Sequence, residues 1–216
     1  MFETKVKICG LRRREDIEIV NIHLPDYAGF VFAESKRKVT PELAKELSGM
    51  LDKRVKSVGV FVNEKPETVL DISIECDLDV VQLHGDETPA FIKELKKNKI
   101  QSAIWKGIRV QDSRSIRSIQ DYNIDEPNVE AFVLDAFAEG VYGGTGSTFD
   151  WKLAREAGKF GRIILAGGLN VHNLREAIAA VRPYAVDVSS GVESCGYKDE
   201  SKIRDFICTA RGWNIY

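Results

Sequence analysis

Short β-branched stretches along this chain end in residues that can do chemistry: Cys9, His84, Asp135, the pair Gly167-Gly168, and the run Asp187-Val188-Ser189-Ser190-Gly191. A thiol and a carboxylate can move protons, and glycine turns can hold an anion, so the set points to acid-base work on a phosphorylated small molecule. Cys9 precedes Gly10, which leaves its thiol open toward a cavity, and Lys7 falls on the same face of an extended strand. A nearby ammonium raises the thiolate fraction, so Cys9 is expected to act as base or nucleophile, although burial as a small hydrophobe is the commoner fate of a free cysteine. Asp135 closes an otherwise apolar strand, where it either caps the following loop or serves as a general acid. Gly167 and Gly168 let bare backbone N–H groups approach an anion, and Asn170 is expected to open a helix just after them. Ser190 and Gly191 supply a second such turn, and the two together read as a phosphate seat.

Residues this far apart in sequence must be gathered by the fold. Strand-like runs lie near 4–9, 27–32, 55–62, 79–83, 102–107, 131–135, 162–166 and 185–189. Between them come stretches of helical apolar spacing, such as Leu43, Leu47, Met50 and Leu51. Thr40, Thr88, Asp150 and Asn170 stand where helix caps belong. Eight β-then-α units in 216 residues leave roughly 27 residues each, which predicts an α/β chain forming a single-domain (β/α)8 TIM barrel over residues 1–216. In that fold the C-terminal strand ends converge on one rim. Strand alternation then turns Lys7, Gln82, Val133 and Ala185 inward with the reactive residues. Val6, Ile8, Val81, Leu83, Phe132, Leu134, Val186 and Val188 turn outward. The loop Tyr142-Gly143-Gly144-Thr145-Gly146-Ser147 comes too late after its strand for a nucleotide-binding turn and reads as a lid.

Composition narrows the classes. With 44% hydrophobic and 30% charged residues the chain suits a globular core, and a formal charge of −2 offers no basic field for nucleic acid. No apolar run approaches the ~18 residues of a membrane span and no signal peptide is seen, so no membrane partner and a cytoplasmic location are expected. Cys9, Cys76, Cys195 and Cys208 show no metal-ligand spacing or disulfide framework. The charge runs Arg12-Arg13-Arg14 and Lys36-Arg37-Lys38 read first as solvated loop charge.

Several strings resemble one family, phosphoribosylanthranilate isomerase of tryptophan biosynthesis. They include Lys7-Ile8-Cys9-Gly10, Ser35-Lys36-Arg37, Gln82-Leu83-His84-Gly85, Leu134-Asp135, Leu165-Ala166-Gly167-Gly168-Leu169-Asn170 and Val186 through Glu193. They recur in order over essentially the whole chain. The resemblance implies a cofactor-free Amadori rearrangement of N-(5-phosphoribosyl)anthranilate to 1-(2-carboxyphenylamino)-1-deoxyribulose 5-phosphate, with no metal. It implies Asp135 as general acid, Cys9 as general base, and Arg37 as the group that binds the anthranilate carboxylate. Gln82, His84 and Asp187 match polar positions around the substrate, where structural hydrogen bonding is the competing role. The Arg12-Arg13-Arg14 loop and Trp105-Lys106-Gly107 depart from the pattern, carrying more charge and more bulk. Two rival readings are a histidine-pathway aldose-ketose isomerase and a noncatalytic sugar-phosphate-binding barrel. The first would need a second phosphate site in the first half of the barrel, and the second would not need both acid and base. A monomer or a homodimer is expected.

Overall fold

The structure, a computed structural model, describes residues 4–122, 129–136 and 151–212. Eight parallel strands close in sequential order into a barrel: β1 (Lys5–Cys9), β2 (Tyr27–Val31), β3 (Lys56–Phe61), β4 (Val80–Leu83), β5 (Ala103–Val110), β6 (Ala131–Ala136), β7 (Ile163–Leu165) and β8 (Ala185–Val188). Closure comes from β1, which pairs with β2 on one side and β8 on the other. Helices α1 (Arg14–His23), α2 (Pro41–Gly49), α3 (Pro66–Glu75), α4 (Pro89–Lys97), α5 (Ser113–Arg117), α6 (Trp151–Ala157), α7 (Leu174–Val181) and α8 (Glu200–Arg211) follow the strands in turn. A small antiparallel hairpin, β9 (Glu193–Ser194) with β10 (Tyr197–Lys198), stands between β8 and α8.

The expected (β/α)8 architecture is therefore present, with β5 running three residues past its expected end. Thr40 and Thr88 cap as expected, accepting from the Leu43 and Phe91 amides. Asp150 and the glycine-rich loop 142–147 lie outside the described residues. Asn170 does not open a helix directly. Its side chain accepts from the His172 amide at 2.9 Å in a local turn, and α7 starts only at Leu174. An Asn that bonds its own backbone two residues on favours a turn over a helical start.

Alternation along the strands separates two apolar layers. Val6, Ile8, Val81, Leu83, Phe132, Leu134, Val186 and Val188 pack outward against the helices. Tyr27, Val58, Val80, Trp105, Ala131, Val133, Ile164 and Ala185 fill the lumen. Trp105 is fully buried there, edge-on to Tyr27 with ring centroids 4.7 Å apart, and forms the floor of the barrel. The next inward position of β5 is Gly107, where a Cβ would lie 2.5 Å from His84 Nδ1. The bulk of Trp105 and the emptiness of Gly107 thus set where the floor ends and the site begins.

Lys106 points outward between them and is buried with Glu87, its Nζ 2.9 Å from Oε2 and 2.7 Å from the Gly85 carbonyl. Glu87 in turn accepts from the Gly85 and Asn63 amides, so the pair fixes the loop that begins at His84. Burial pushes the Lys106 ammonium below its ordinary range against the pull of Glu87. Replacing Lys106 with Met is expected to destabilise the fold by about 3–5 kcal/mol, because Glu87 would be left buried without its counter-charge. Urea unfolding measures this, and a loss under about 1 kcal/mol would remove the pair from the account.

Candidate active site

The C-terminal strand ends surround a cavity of about 350 Å³. All ten residues expected to form the site line it: Cys9, Arg37, Gln82, His84, Asp135, Gly167, Gly168, Asp187, Ser190 and Gly191. Val31, Val60, Leu169 and Val188 add apolar wall. Such a mixture, mostly apolar with a few convergent polar groups, suits a small organic anion.

Cys9 ends β1 opposite Gly29 of β2, where a Cβ would come within 2.8 Å of the thiol sulfur. As expected, the Lys7 charge pulls the Cys9 thiol pKa down, but two features of its surroundings oppose it. The Lys7 ammonium is fully buried and bonded at 2.9 Å to Asp187, its register partner on β8. Burial then pushes the Cys9 thiol above its ordinary 9.0, against the attraction of Lys7 and with Asp187 adding to the rise. Burial also opposes charge on Lys7, but Asp187 and Cys9 outweigh it and keep the ammonium above its ordinary value. Cys9 thus lies beside a buried ammonium that is paired with Asp187.

Gly10 also makes room for Arg37. Its φ of +81° is in the left-handed region, and a Cβ there would overlap Arg37 Cδ. The arginine side chain crosses the backbone next to Cys9. Its fork is taken by Glu193, with Nε and Nη2 donating at 2.7 and 2.9 Å. Lys198 reaches the same carboxylate at 3.0 Å and the Ser189 carbonyl at 2.9 Å. Burial pushes the Glu193 carboxyl up, but the Arg37 hydrogen bonds and the Lys198 charge outweigh it and hold it at about 2. The role of Glu193 and Lys198 was missed in the sequence. The one available signal was a carboxylate and an ammonium flanking the turn residues Cys195-Gly196.

Asp135 sits at the opposite side of the mouth, 5% exposed. His84 bridges it to Gln82, with Nε2 3.3 Å from Asp135 Oδ2 and Nδ1 3.0 Å from Gln82 Nε2. Donation by the Gln82 amide leaves Nδ1 as acceptor and Nε2–H as donor to the carboxylate. Asp135 Oδ1 has no hydrogen-bond partner among the described residues, and neither has Asp187 Oδ1. Buried oxygens without partners in a cavity are what a hydroxyl-bearing ligand would satisfy.

Gly167 and Gly168 both have left-handed φ, +80° and +68°. The Gly168 carbonyl accepts from the Asn170 and Asn173 side chains, which turns this backbone away from the cavity at its oxygen. A Cβ on Gly191 would collide with the Leu169 carbonyl, so the two loops touch backbone to backbone. The two glycine turns are thus in contact, and α7 begins only at Leu174.

Comparison with known proteins agrees with this geometry. Residues 6–209 match the family model described as N-(5'phosphoribosyl)anthranilate (PRA) isomerase. An N-(5'-phosphoribosyl)anthranilate isomerase of Acetivibrio thermocellus is 53% identical over 214 residues, covering 96% of each chain. The dimeric phosphoribosylanthranilate isomerase from Thermotoga maritima, solved as monomers, superposes with a TM-score of 0.83 at 39% identity, over 97% of this chain and 99% of that one. A phosphoribosyl anthranilate isomerase in complex with reduced 1-(o-carboxyphenylamino)-1-deoxyribulose 5-phosphate superposes with a TM-score of 0.83 at 37% identity and the same coverage. The chain belongs to the N-(5'-phosphoribosyl)anthranilate isomerase family, and is an intramolecular aldose-ketose isomerase of tryptophan biosynthesis.

Proposed function

We propose that Asp135 is the acid and Cys9 the base of this isomerisation, working from opposite sides of one cavity. Asp135 gives a proton to the ribose ring oxygen as the C1′–O bond breaks, and the nitrogen lone pair forms the Schiff base. Cys9 takes the proton from C2′, whose bonding electrons form the C1′–C2′ double bond and return the iminium electrons to nitrogen. The enolamine then takes a proton at C1′ on its double-bond electrons, while the 2′-hydroxyl loses its proton and the O–H electrons form the ketone carbonyl at C2′. The observation that carries this reading is the cavity itself, which places a buried thiol beside a fixed ammonium and a carboxyl oxygen without a partner around space for one substrate. Lys7 supports the base by lying where the transient thiolate gains most from a positive charge. Gln82 and His84 hold Asp135 by Oδ2 and leave Oδ1 for the sugar.

Arg37 binds the anthranilate carboxylate. Glu193 occupies two of the five guanidinium N–H groups, and the Nη1 edge is left for the ligand. The backbone of Gly167, Gly168, Ser190 and Gly191 takes the phosphate. These steps need no cofactor. Among the described residues no helix is long and apolar enough to cross a membrane. The dimeric Thermotoga relative makes a homodimer the first alternative to a monomer.

Arg37→Ala is expected to raise KM roughly 10- to 100-fold with kcat largely kept, since a charge-assisted fork made in ground and transition states alike is lost. Lys198 remains to partner Glu193 in the variant. Steady-state kinetics decide it: an unchanged KM with a collapsed kcat would place Arg37 in the chemistry instead.

A further inference from the structure

We propose that Arg12 is a positioning residue for substrate recognition, a pin that holds both loops from which Arg37 and Glu193 meet. The inference rests on the reading of Arg37 as the carboxylate-binding group. Arg12 lies in the loop after β1, in the charge run to which the sequence assigns no chemistry. Its Nη1 donates to the Lys36 carbonyl at 2.9 Å, and its Nη2 donates to the Gly196 carbonyl at 2.9 Å. Lys36 directly precedes Arg37, and Gly196 is in the turn of the hairpin whose two strands carry Glu193 and Lys198. One planar group thus bridges two segments 160 residues apart, at the places that set the Arg37 fork.

The pin is itself held. The Arg12 amide donates to Asp16 Oδ2 at 3.0 Å, and Asp16 is buried. The Arg12 and Arg13 guanidinium groups lie 5.1 and 4.3 Å from the centre of the Tyr197 ring, at the hairpin tip. Arg13 is bonded to Asp16 at 2.8 Å, which closes the circuit back to the start of α1. The two carbonyl acceptors are met by the two terminal nitrogens of the Arg12 fork, whose geometry is fixed. An ammonium is a point donor and does not reproduce the spacing of the two fork nitrogens.

The function of this arrangement follows from what Arg37 needs. Its guanidinium must be oriented before the ligand arrives if the free edge is to meet a planar carboxylate, and orientation paid in advance lowers the cost of binding. Glu193 orients the fork, and Glu193 stands on a hairpin of two-residue strands. Arg12 joins that hairpin to the loop of Arg37.

The test compares Arg12→Ala, Arg12→Lys, Arg37→Ala and the Arg12→Ala/Arg37→Ala double variant, using phosphoribosylanthranilate kinetics and thermal melts. Arg12→Ala should raise KM about threefold to tenfold, with kcat within about twofold of the parent. Its melting temperature should fall by no more than ~2 °C, because the lost contacts are at the surface. Arg12→Lys should recover little of the KM. In the Arg37→Ala background the Arg12 substitution should add nothing further, since the group it positions is gone. An unchanged KM in Arg12→Ala beside a raised KM in Arg37→Ala would overturn the pin while keeping the Arg37 reading. A KM increase that persists in full in the double variant would also overturn it, showing that Arg12 acts by another route. An unchanged KM in Arg37→Ala would instead defeat the reading on which the pin rests. Should the Ala variant melt early, the Lys variant carries the same comparisons in a side chain of similar length.

Discussion

Cys9→Ala is expected to lower kcat by ~10²–10⁴-fold in a protein that stays folded, because a positioned base contributes on that scale. The sulfur is enclosed, so removing it opens a small space next to Gly29 rather than an ion pair, and the Lys7–Asp187 bond remains. Cys9→Ser should be nearly as poor, since a hydroxyl in the same enclosure ionises far less readily than a thiol. The environment adds a pH signature. With the thiol pushed above its ordinary 9.0, the neutral form dominates at pH 7, and the thiolate fraction keeps rising as pH climbs past 9. Iodoacetamide labelling of Cys9, followed by mass spectrometry, should therefore accelerate with pH without levelling by pH 9. A label rate that levels near pH 7 would mean that Lys7 wins over burial. A Cys9→Ala enzyme with full kcat would remove the thiol from the chemistry altogether.

Asp135→Asn is expected to cost ~10²–10⁴-fold in kcat, with KM and folding preserved. The amide matches the carboxyl in shape and can still meet His84, but it has no proton to give to the ring oxygen. Stability separates this from a structural role. Asp135 Oδ1 is buried without a partner among the described residues, so the neutral amide should melt no lower than the parent. A variant that loses activity and melts many degrees lower would assign Asp135 to holding the strand end in place.

The two groups differ in how far the sequence could reveal their surroundings. Cys9, Asp135, His84 and the glycine pair were legible because strand side chains alternate and a closed barrel sends every strand end to one rim. That inference needs only local patterns and a strand count. The charge state of Cys9 was not legible. Lys7 is two residues away and suggested an activated thiol, while the Asp187 that bonds Lys7 lies 180 residues on, across the seam where β8 meets β1. Glu193 escaped for a similar reason. Its claim on the Arg37 fork spans 156 residues and depends on the hairpin after β8, whose two-residue strands have no periodic signal. The start of α7 was misplaced because Asn can cap a helix or close a turn, and its contact with His172 decides which.

The most direct measurement mixes the purified protein, stripped of metal by a chelator, with freshly generated phosphoribosylanthranilate and follows the loss of substrate fluorescence. The account predicts conversion at the same rate with and without chelator, and its near disappearance in Cys9→Ala and Asp135→Asn, because side chains alone move both protons. Activity that vanishes with the chelator and returns with a divalent ion would contradict it.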